Sequence, residues 1–281
     1  MVIKELLSTA VNILKNSGLA TPQLDASVLL CFVLKCDRVH LIVNENKSVT
    51  AEHENTYLNL IKKRKENMPL AYIINEKEFM SLDFYVNENV LIPRPDTEIL
   101  VEYVLDSVFK KDKILDLCCG SGCIGISLAH YLKNTSVHFA DISDKALEVT
   151  QINAKNLLDK KINIKFLKLD ILNQIPDEKY DLIVSNPPYI ETKVLKTLEK
   201  NVIDYEPELA LAGGDDGLVF YRRISDIAKQ MLTDDGHLVF EIGENQGVTV
   251  PEIMSKCGFF NIEVINDLAG RNRVVKGSLK P

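Results

Sequence analysis

The chain has 281 residues, a hydrophobic fraction of 46% and a formal net charge of −7. This length favours two domains of unequal size, and the hydrophobic fraction is ample for packed cores. No apolar run approaches the ~20 residues that a membrane-spanning helix needs, and the first residues do not begin a signal peptide. The six cysteines show no disulfide framework, which favours a reducing compartment. We therefore expect a cytoplasmic protein with no membrane partner.

The charge is divided unevenly along the chain. Residues 1–75 carry 9 Lys and Arg against 7 Asp and Glu, a net of +2, whereas residues 76–281 carry 24 against 33, a net of −9. An acidic second part is a poor fit to the basic surface of a nucleic-acid enzyme, so no direct nucleic-acid substrate is expected. The basic cluster Lys62–Lys65 is interpreted as a solvated helix end.

The first 75 residues are predicted to form a small helical bundle. Apolar residues keep helical spacing from Ile3 to Leu14, and Gly18 suits the end of that helix. A second helix is predicted from Gln23 to Leu34, and Thr50 can cap a third that runs to about Glu66.

The remainder alternates strands and helices, which indicates an α/β fold with a parallel sheet. A hairpin connector is predicted between Met68 and Phe84, and we place the domain boundaries at residues 1–75, 76–95 and 96–281. A helix from Asp96 to Phe109 leads into the sheet. The predicted strands are 113–118, 136–141, 162–169, 180–185, 236–242, 259–265 and 272–277.

A strand, a glycine-rich turn and a helix follow one another after Ile114. The apolar strand contains Asp116, and helical residues run from Ile124 to Leu132. Glycines let a backbone approach a ligand closely, and the amino end of a helix offers free N–H groups. We therefore expect the turn to hold a ligand. Its residues are Cys118, Cys119, Gly120, Ser121 and Gly122.

Asp141 stands at the end of a second strand-like run, 25 residues after Asp116. A carboxylate in that place can accept hydrogen bonds from ribose hydroxyls. The glycine spacing is not that of a pyrophosphate loop, so a nucleoside without phosphate fits better, and S-adenosylmethionine is the predicted cofactor. Asp170 and Ile171, after the third strand, are expected near the adenine; the alternative for Asp170 is a helix cap or a loop carboxylate.

The tetrapeptide Asn186-Pro187-Pro188-Tyr189 follows the buried strand that ends at Ser185. Two prolines stiffen the loop and remove two backbone donors. The side-chain oxygen of Asn186 and a backbone carbonyl are two acceptors that suit the two hydrogens of an –NH2 group, and Tyr189 can stack on a planar group beside them. The alternative is an ordinary Pro-Pro turn with a capping Asn.

These segments together resemble the class I S-adenosylmethionine-dependent methyltransferases that methylate amino groups. Further segments are similar to the signature of the peptide chain release factor N5-glutamine methyltransferases, and the similarity runs from about Pro69 to Val275. The segments are Leu91–Glu98, Tyr205–Pro207, Leu209–Leu211, Gly214–Leu218, Glu241–Gly243 with Gln246, and Asp267–Arg273.

The resemblance implies a Rossmann-like sheet of seven strands, the last of them antiparallel, and S-adenosylhomocysteine as a product. The resemblance implies that Asn186, Pro187 and Tyr189 are catalytic, and that the same three residues together with Pro188 bind the substrate. Glu98 and Glu241 are implied near the site, in roles that are either functional or structural. The cofactor-binding residues are Cys118, Cys119, Gly120, Ser121, Gly122, Asp141, Asp170, Ile171 and Asn186.

The implied substrate is the side-chain amide nitrogen, N5, of the glutamine in the Gly-Gly-Gln motif of bacterial peptide chain release factors 1 and 2. The amino-terminal bundle is then a docking module for the release factor, and a monomer is expected. Two other classes remain open. A DNA or RNA amino-methyltransferase needs a basic groove and a base flipped from its stack. A non-catalytic cofactor-binding protein is disfavoured by the intact Asn186–Tyr189 segment.

Three residues depart from the family pattern. Cys118 and Cys119 replace the usual small residues or Gly-Thr of the ligand loop, and Asn75 stands where glycine is commoner. Asn tolerates a positive φ, and Cys is small enough for a tight turn. With Cys123, these thiols could suggest a metal site, but no fourth ligand is spaced nearby, so no metal is expected.

Overall fold

The computed structural model describes residues 1–280, and contacts divide the chain into two compact units. The first consists of Met1–Glu76 together with Glu199–Tyr205. The second consists of Lys77–Leu198 and the chain from Glu206 onward. The first division thus falls next to the predicted end of the amino-terminal domain. No sequence signal linked the short Glu199–Tyr205 segment to that domain.

The described residues form twelve α-helices and nine strands. In chain order the helices are α1 Ile3–Lys15, α2 Pro22–Leu34, α3 Arg38–Val43, α4 Ala51–Lys65, α5 Leu70–Ile74, α6 Pro95–Asp106, α7 Cys123–Tyr131, α8 Asp144–Leu157, α9 Thr192–Leu195, α10 Lys200–Tyr205, α11 Val219–Met231 and α12 Thr249–Lys256. The strands are β1 Glu76–Phe79, β2 Leu82–Tyr85, β3 Lys113–Leu117, β4 Ser136–Asp141, β5 Ile164–Lys168, β6 Tyr180–Ser185, β7 Leu232–Glu241, β8 Phe260–Asn266 and β9 Asn272–Ser278.

The first unit has its own apolar core, to which α1, α2 and α4 contribute most of the buried side chains. The buried Tyr57 hydroxyl donates to the carbonyl of Ala26 at 2.9 Å. Nε of Arg64 lies 2.7 Å from Oδ2 of the buried Asp25. The basic cluster Lys62–Lys65 is therefore only partly the solvated helix end that was predicted, because one of its cations closes a buried ion pair.

The predicted helix ends in this unit are largely confirmed. Thr50 caps α4 by accepting a hydrogen bond from the backbone of His53, and Gly18 and Asn75 both adopt positive φ. Three helices of this unit, α3, α5 and α10, were not predicted. Each has only five or six residues, too few to show an apolar period in the sequence. The predicted hairpin connector is present as β1 and β2, but α5 precedes it.

The second unit is built on a sheet with the strand order β5-β4-β3-β6-β7-β9-β8. The first five of these strands are parallel, and β9 runs antiparallel to both β7 and β8. The predicted fold class is thereby confirmed. The chain leaves β3 for β4 on one side and returns to β6 on the other. The carboxyl ends of β3 and β6 therefore flank a topological switch point, where open α/β sheets bind ligands.

Alternate side chains of the central strands enter two apolar clusters. On β3, Ile114 belongs to one cluster and Leu115 to the other, and Leu182 and Ile183 divide in the same way on β6. Because side chains alternate along a strand, the clusters cover opposite faces of the sheet. One includes residues of α6, α7 and α8, and the other includes residues of α11 and α12.

All seven predicted strands are present, and their ends differ slightly from the prediction. The largest difference is in β7, which begins at Leu232 instead of residue 236. Leu232 already pairs with Tyr180, and a register irregularity separates this pair from the regular ladder that begins at Leu182. The sequence Asp234-Asp235-Gly236 has the composition of a turn, so the pattern did not predict that the strand begins before it.

Candidate active site

A cleft opens at the carboxyl ends of the parallel strands, with an open volume of about 1240 Å³ including its mouth. Its walls come from the loop before α6, the turns after β3 and β4, the segment after β5, the loop after β6 and the segment around Pro207. All of these belong to the second unit. The cleft thus lies at the switch point that the strand order creates.

The turn after β3 has an unusual backbone, with positive φ at Cys118 (58°), Gly120 (54°) and Gly122 (77°). A Cβ at Gly120 would meet no atom within 4 Å, whereas a Cβ at Gly122 would lie 2.6 Å from the side chain of Thr150. Gly120 therefore offers bare backbone to the open cleft, and Gly122 allows close packing behind the turn. Cys118 adopts the left-handed conformation without being glycine, which is a strained choice for this residue type.

Asp141 joins the end of β4 to this turn. Its Oδ2 accepts a hydrogen bond from the backbone N–H of Gly120, and its Oδ1 accepts one from Ser143, both at 2.9 Å. Burial raises the pKa of Asp141, and these backbone hydrogen bonds oppose the rise. The carboxylate lines the cleft with remaining lone pairs on both oxygens, as an acceptor for ribose hydroxyls requires.

Asp116 lies beneath the turn and is fully buried. Its Oδ2 accepts a hydrogen bond from the backbone of Gly125 at 2.9 Å, while Oδ1 has no hydrogen-bond partner among residues 1–280. Burial raises the pKa of Asp116 to about 7, against the lowering effect of the Gly125 hydrogen bond. A side chain at position 125 would collide with Asp116 and Phe139, so a glycine is needed there for this contact.

Asp170 and Ile171 both line the cleft after β5. The carboxylate of Asp170 also accepts hydrogen bonds from the backbone of Leu172 at 3.1 Å and from the side chain of Asn173 at 2.7 Å. Asp170 therefore caps its own loop and also lines the cleft, so both predicted positions of this residue are compatible.

Asn186 lines the cleft directly after β6. Its Nδ2 donates to Oγ1 of Thr97 at 3.4 Å. The amide therefore presents its N–H groups to the side of Thr97. The oxygen Oδ1 lies on the other side of the amide group and is left for a ligand.

The rest of the tetrapeptide is arranged unevenly around the cleft. Pro188 lines it, whereas Pro187, Tyr189 and the turn residue Gly122 are not among its wall residues. Both prolines are buried and Tyr189 is half-buried. Among the predicted site residues, the cleft brings together Cys118, Cys119, Gly120, Ser121, Asp141, Asp170, Ile171, Asn186 and Pro188.

The backbone of Tyr189 is held from two sides. Nε2 of Gln246 donates to the carbonyl of Tyr189 at 3.3 Å and to that of Gly217 at 3.2 Å, while Oε1 of Gln246 accepts from Gly243 at 2.9 Å. A Cβ at Gly217 would lie 2.3 Å from the Tyr189 oxygen, and one at Gly213 would lie 2.7 Å from its Cα. Gly213, together with Gly217 and Gln246 of the family signature, thus fixes the path of this loop.

Glu241 lies behind the cleft wall, only 1% exposed. Burial raises its pKa to about 7, opposed by the nearby polar side chains of Thr97 and Asn186 and by the charge of Arg273. Nη2 of Arg273 in turn lies 3.0 Å from Asp96 and 3.3 Å from Asp267. Sequence reasoning missed Thr97 as a contact of Asn186. The signal was its place inside the segment Leu91–Glu98.

Two other acidic residues of the signature have distinct positions. Glu206 is buried and pairs with Arg94 at 2.6 Å, and Arg94 lines the cleft. Glu98 accepts a hydrogen bond from the backbone of Met80 at 2.7 Å, in the turn between β1 and β2, and is not a wall residue of the cleft. Glu98 therefore supports the hairpin.

The thiols of Cys119 and Cys123 are buried and that of Cys118 is half-buried, and all three are protonated. Burial raises the pKa of the Cys118 thiol and that of Cys119, and raises the pKa of Cys123 to about 12. Thiolates are the form that binds metal. No cluster of three or more His, Cys, Asp or Glu side chains suited to a metal ion occurs within residues 1–280. Across the same residues, none of the helices has the length and apolarity to span a bilayer.

Comparison with known proteins gives two family matches. Residues 95–225 match the family described as "Methyltransferase small domain", and residues 5–74 match the "PrmC N-terminal domain". Two solved structures share the fold at low sequence identity. A methyltransferase from Pyrococcus furiosus gives a TM-score of 0.53 at 15% identity over 73% of this chain and 92% of that one. The hMettl16 catalytic domain in complex with an RNA hairpin gives 0.56 at 14% identity over 83% of each chain.

Curated relatives match over nearly the whole length. The release factor glutamine methyltransferase of Clostridium botulinum is 44% identical over 98% of this chain and 99% of the relative. Those of Clostridium acetobutylicum and Bacillus anthracis are 42% and 36% identical, each over 98% of both chains. The resemblance found in the sequence motifs is thereby confirmed, and the chain belongs to the release factor glutamine methyltransferase family of enzymes.

Proposed function

We propose that this enzyme transfers a methyl group from S-adenosylmethionine to N5 of the glutamine in the Gly-Gly-Gln motif of bacterial release factors 1 and 2. The observation that carries the proposal is the orientation of the Asn186 amide. Its Nδ2 donates to Thr97, which leaves an acceptor oxygen in the cleft that the glycine-rich turn also lines. An acceptor in that place suits an –NH2 group next to a bound cofactor.

The residues of the turn fit the cofactor. Gly120 leaves open space where a side chain would stand, and Asp141 lines the cleft with free acceptor capacity. We assign the ribose hydroxyls to Asp141, the adenine to the wall that contains Asp170 and Ile171, and the methionine part to the turn of residues 118–122. When bound, S-adenosylmethionine supplies a methyl group activated by a positive sulfonium.

The target amide is a poor nucleophile because its nitrogen lone pair is delocalised. We assign its two hydrogens to Oδ1 of Asn186 and the carbonyl of Pro187. These acceptors orient the nitrogen and stabilise the positive charge that grows on it during transfer, which is electrostatic stabilisation of the transition state. Holding the nitrogen in line with the methyl group contributes the proximity effect. The methylated nitrogen is acidic enough for water to take its proton.

The first unit is proposed to dock the release factor, with one enzyme molecule acting as a monomer. The competing substrate, a base of DNA or RNA, is disfavoured by the −9 charge of residues 76–281. It would also have to be flipped from its stack to reach Asn186.

The test is incubation of the enzyme with methyl-labelled S-adenosylmethionine and purified release factor 1 or 2, in parallel with DNA and tRNA. Label is expected on the release factor alone, and mass spectrometry should locate one methyl group on the Gly-Gly-Gln glutamine. A release factor with that glutamine replaced by Ala is the substrate control. Label on nucleic acid, or on another residue of the release factor, would contradict the proposal.

The enzyme control is Asn186→Ala, which removes the acceptor and leaves an amide hydrogen of the substrate unpaired, at a cost of roughly 1–3 kcal/mol or more. Asn186→Asp keeps one acceptor but sets a second carboxyl against Glu241. We expect both variants to keep cofactor affinity within a few-fold and to lose most of kcat. Full activity of Asn186→Ala would mean that the tetrapeptide is scaffolding.

A further inference from the structure

One positive charge lies on the wall of the cleft. Among the described residues that line it, Arg94 is the only lysine or arginine, and its side chain is 37% exposed. Nη2 of Arg94 lies 2.6 Å from Oε1 of Glu206, whose side chain is 2% exposed. A guanidinium has five N–H donors in a fixed plane. Within residues 1–280 the Arg94 side chain makes no hydrogen bond besides this one, so most of its donors are available to a ligand.

The geometry of this ion pair does not suit a purely structural role. Arginine and a carboxylate pair most strongly through two parallel hydrogen bonds, yet Oε2 of Glu206 is buried without a partner among the described residues. Burying a carboxylate is costly, and a single hydrogen bond offsets only part of that cost. The arrangement instead fixes one end of the guanidinium and leaves Nε and Nη1 to other partners.

Arg94 belongs to the part of the wall around Asn186. Its backbone carbonyl accepts from the N–H of Thr97 at 3.0 Å, and the Thr97 hydroxyl is the partner of Asn186. Asp141, by contrast, ends β4, which lies on the other side of β3 from the strand that leads to Asn186. The cation is therefore set at the end of the cleft proposed for the substrate, away from the wall assigned to the ribose.

The proposed substrate segment needs donors of this kind. Two glycines precede its glutamine, and a glycine has no side chain for a cleft to recognise. What glycines offer are main-chain carbonyl and N–H groups. Taking those carbonyls out of water is costly unless donors in the cleft replace the lost hydrogen bonds. A guanidinium held beside Asn186 can supply them while Asn186 accepts from the target amide.

We propose that Arg94 is a substrate-binding residue that donates hydrogen bonds to main-chain carbonyl groups of the glycines next to the target glutamine. Glu206 acts through Arg94, as a positioning residue that holds one end of the guanidinium. The inference rests on the proposed methylation of a Gly-Gly-Gln segment.

The first test is Arg94→Lys, with steady-state kinetics on release factor at saturating S-adenosylmethionine. Lysine keeps the charge next to Glu206 but loses the planar set of donors. We expect KM for release factor to rise about ten- to hundredfold, the range for lost hydrogen bonds from a charged group. The value of kcat should change by a few-fold at most, because the contact is made in the ground state and the transition state alike. Cofactor affinity, measured by calorimetry, should stay at the wild-type value.

The second test changes both partners, because removing the cation alone would leave Glu206 buried and unpaired and would destabilise the fold. In Arg94→Gln combined with Glu206→Gln, two neutral side chains can still hydrogen-bond to each other, so the thermal stability should stay close to that of the wild type. KM for release factor should rise at least as much as in Arg94→Lys. Glu206→Gln alone keeps the donors and weakens their anchor, and should raise KM less than the double change does.

Arg222 supplies the matched control. It also pairs with a carboxylate, that of Asp216, but neither residue lines the cleft. Arg222→Lys and Arg222→Gln should therefore leave both KM and kcat for release factor as in the wild type.

A wild-type KM for release factor in Arg94→Lys and in the double variant overturns the inference and leaves the proposed function intact. Lost cofactor affinity with an unchanged KM for release factor also overturns it, because Arg94 would then serve the carboxylate of the cofactor. If the wild-type enzyme transfers no label to release factor, the proposed function fails and the inference fails with it.

Discussion

Gln246 holds the backbone of Tyr189 across 57 positions of the chain, with Nε2 at 3.3 Å from the Tyr189 carbonyl oxygen. The same nitrogen donates to Gly217, and the oxygen of the side chain accepts from Gly243. One side chain therefore joins the loop after β6 to the segments before α11 and after β7. The position of Asn186, three residues before Tyr189, depends on this junction.

We expect Gln246→Glu to weaken the enzyme in two ways. The carboxylate cannot donate, so two carbonyl groups lose their partner and face a negative charge. The free energy of unfolding should fall by about 1–3 kcal/mol, and kcat should fall with it because the loop is no longer held in one path. Urea denaturation and steady-state kinetics measure the two effects.

Asn245→Asp is the matched control for that substitution, because it places the same charge change on the exposed neighbouring residue. It should alter stability by less than about 0.5 kcal/mol. Equal behaviour of the two variants would show that the Gln246 contacts do not matter for the loop.

The role of Asp141 is tested by Asp141→Ala. The variant loses the proposed acceptor for the ribose and the bond that steadies Gly120. Affinity for S-adenosylmethionine should fall by roughly 1.5–3 kcal/mol, the range for hydrogen bonds to charged groups. Calorimetry with Asp144→Ala as the control, an exposed carboxylate at the start of α8, measures the difference. Unchanged affinity in Asp141→Ala would remove Asp141 from the site.

Asp116 should make the protein less stable as the pH rises. Its pKa is about 7 in the folded state against an ordinary value of 3.8, so the folded state binds the proton more tightly. The stability that this group contributes is fully present below about pH 3.8 and is lost as the pH rises through 7. Between pH 5 and pH 8 the loss should be about 2–3 kcal/mol.

Asp116→Asn keeps an oxygen for the Gly125 hydrogen bond and removes the charge. Relative to the wild type, its free energy of unfolding should therefore be higher at pH 8 than at pH 5 by the same amount. Urea denaturation at the two pH values gives the comparison. A stability difference that does not change with pH would mean that Asp116 does not titrate in this window.

The docking proposal is tested by removing residues 1–75. The apolar core of the first unit draws its buried and packed residues from positions 3–74, so the deletion leaves the core clusters of the second unit complete. Cofactor affinity and methylation of a short Gly-Gly-Gln peptide should persist, while methylation of intact release factor should fall steeply. Methylation of intact release factor at the full rate would show that the bundle is not a docking module.

The sheet and the ligand turn were predictable because their signals are local. An apolar run such as residues 181–185 is typical of a buried strand. The glycines that follow Asp116 indicate a tight turn in which the backbone can approach a ligand. Asp141 could be placed for the same reason, since parallel strands end at one edge of a sheet. The short helices α3 and α5 carry too few residues for a period to be visible.

The contacts around Asn186 could not be derived from the sequence by such reasoning. They depend on β7 lying beside β6 and on the first turn of α6 reaching the same place, which brings Thr97 and Glu241 to one amide from positions 89 residues before and 55 residues after it. Neither the segment Leu91–Glu98 nor the segment Glu241–Gly243 indicates from its own sequence that it lies next to Asn186. The positions of Pro187 and Tyr189 outside the cleft wall were equally hidden, because they follow from the path that Gln246 imposes.

The strand that completes the sheet is the last one in the chain. β9 lies between β7 and β8, and its Arg273 favours the ionised form of Glu241. A chain emerges from the ribosome amino end first, so β7 has an unpaired edge, and Glu241 lacks its cation, until β9 has been added after β8. We expect the wall behind Asn186 to take its final form only at that stage of synthesis, long after the turn of residues 118–122 has been made.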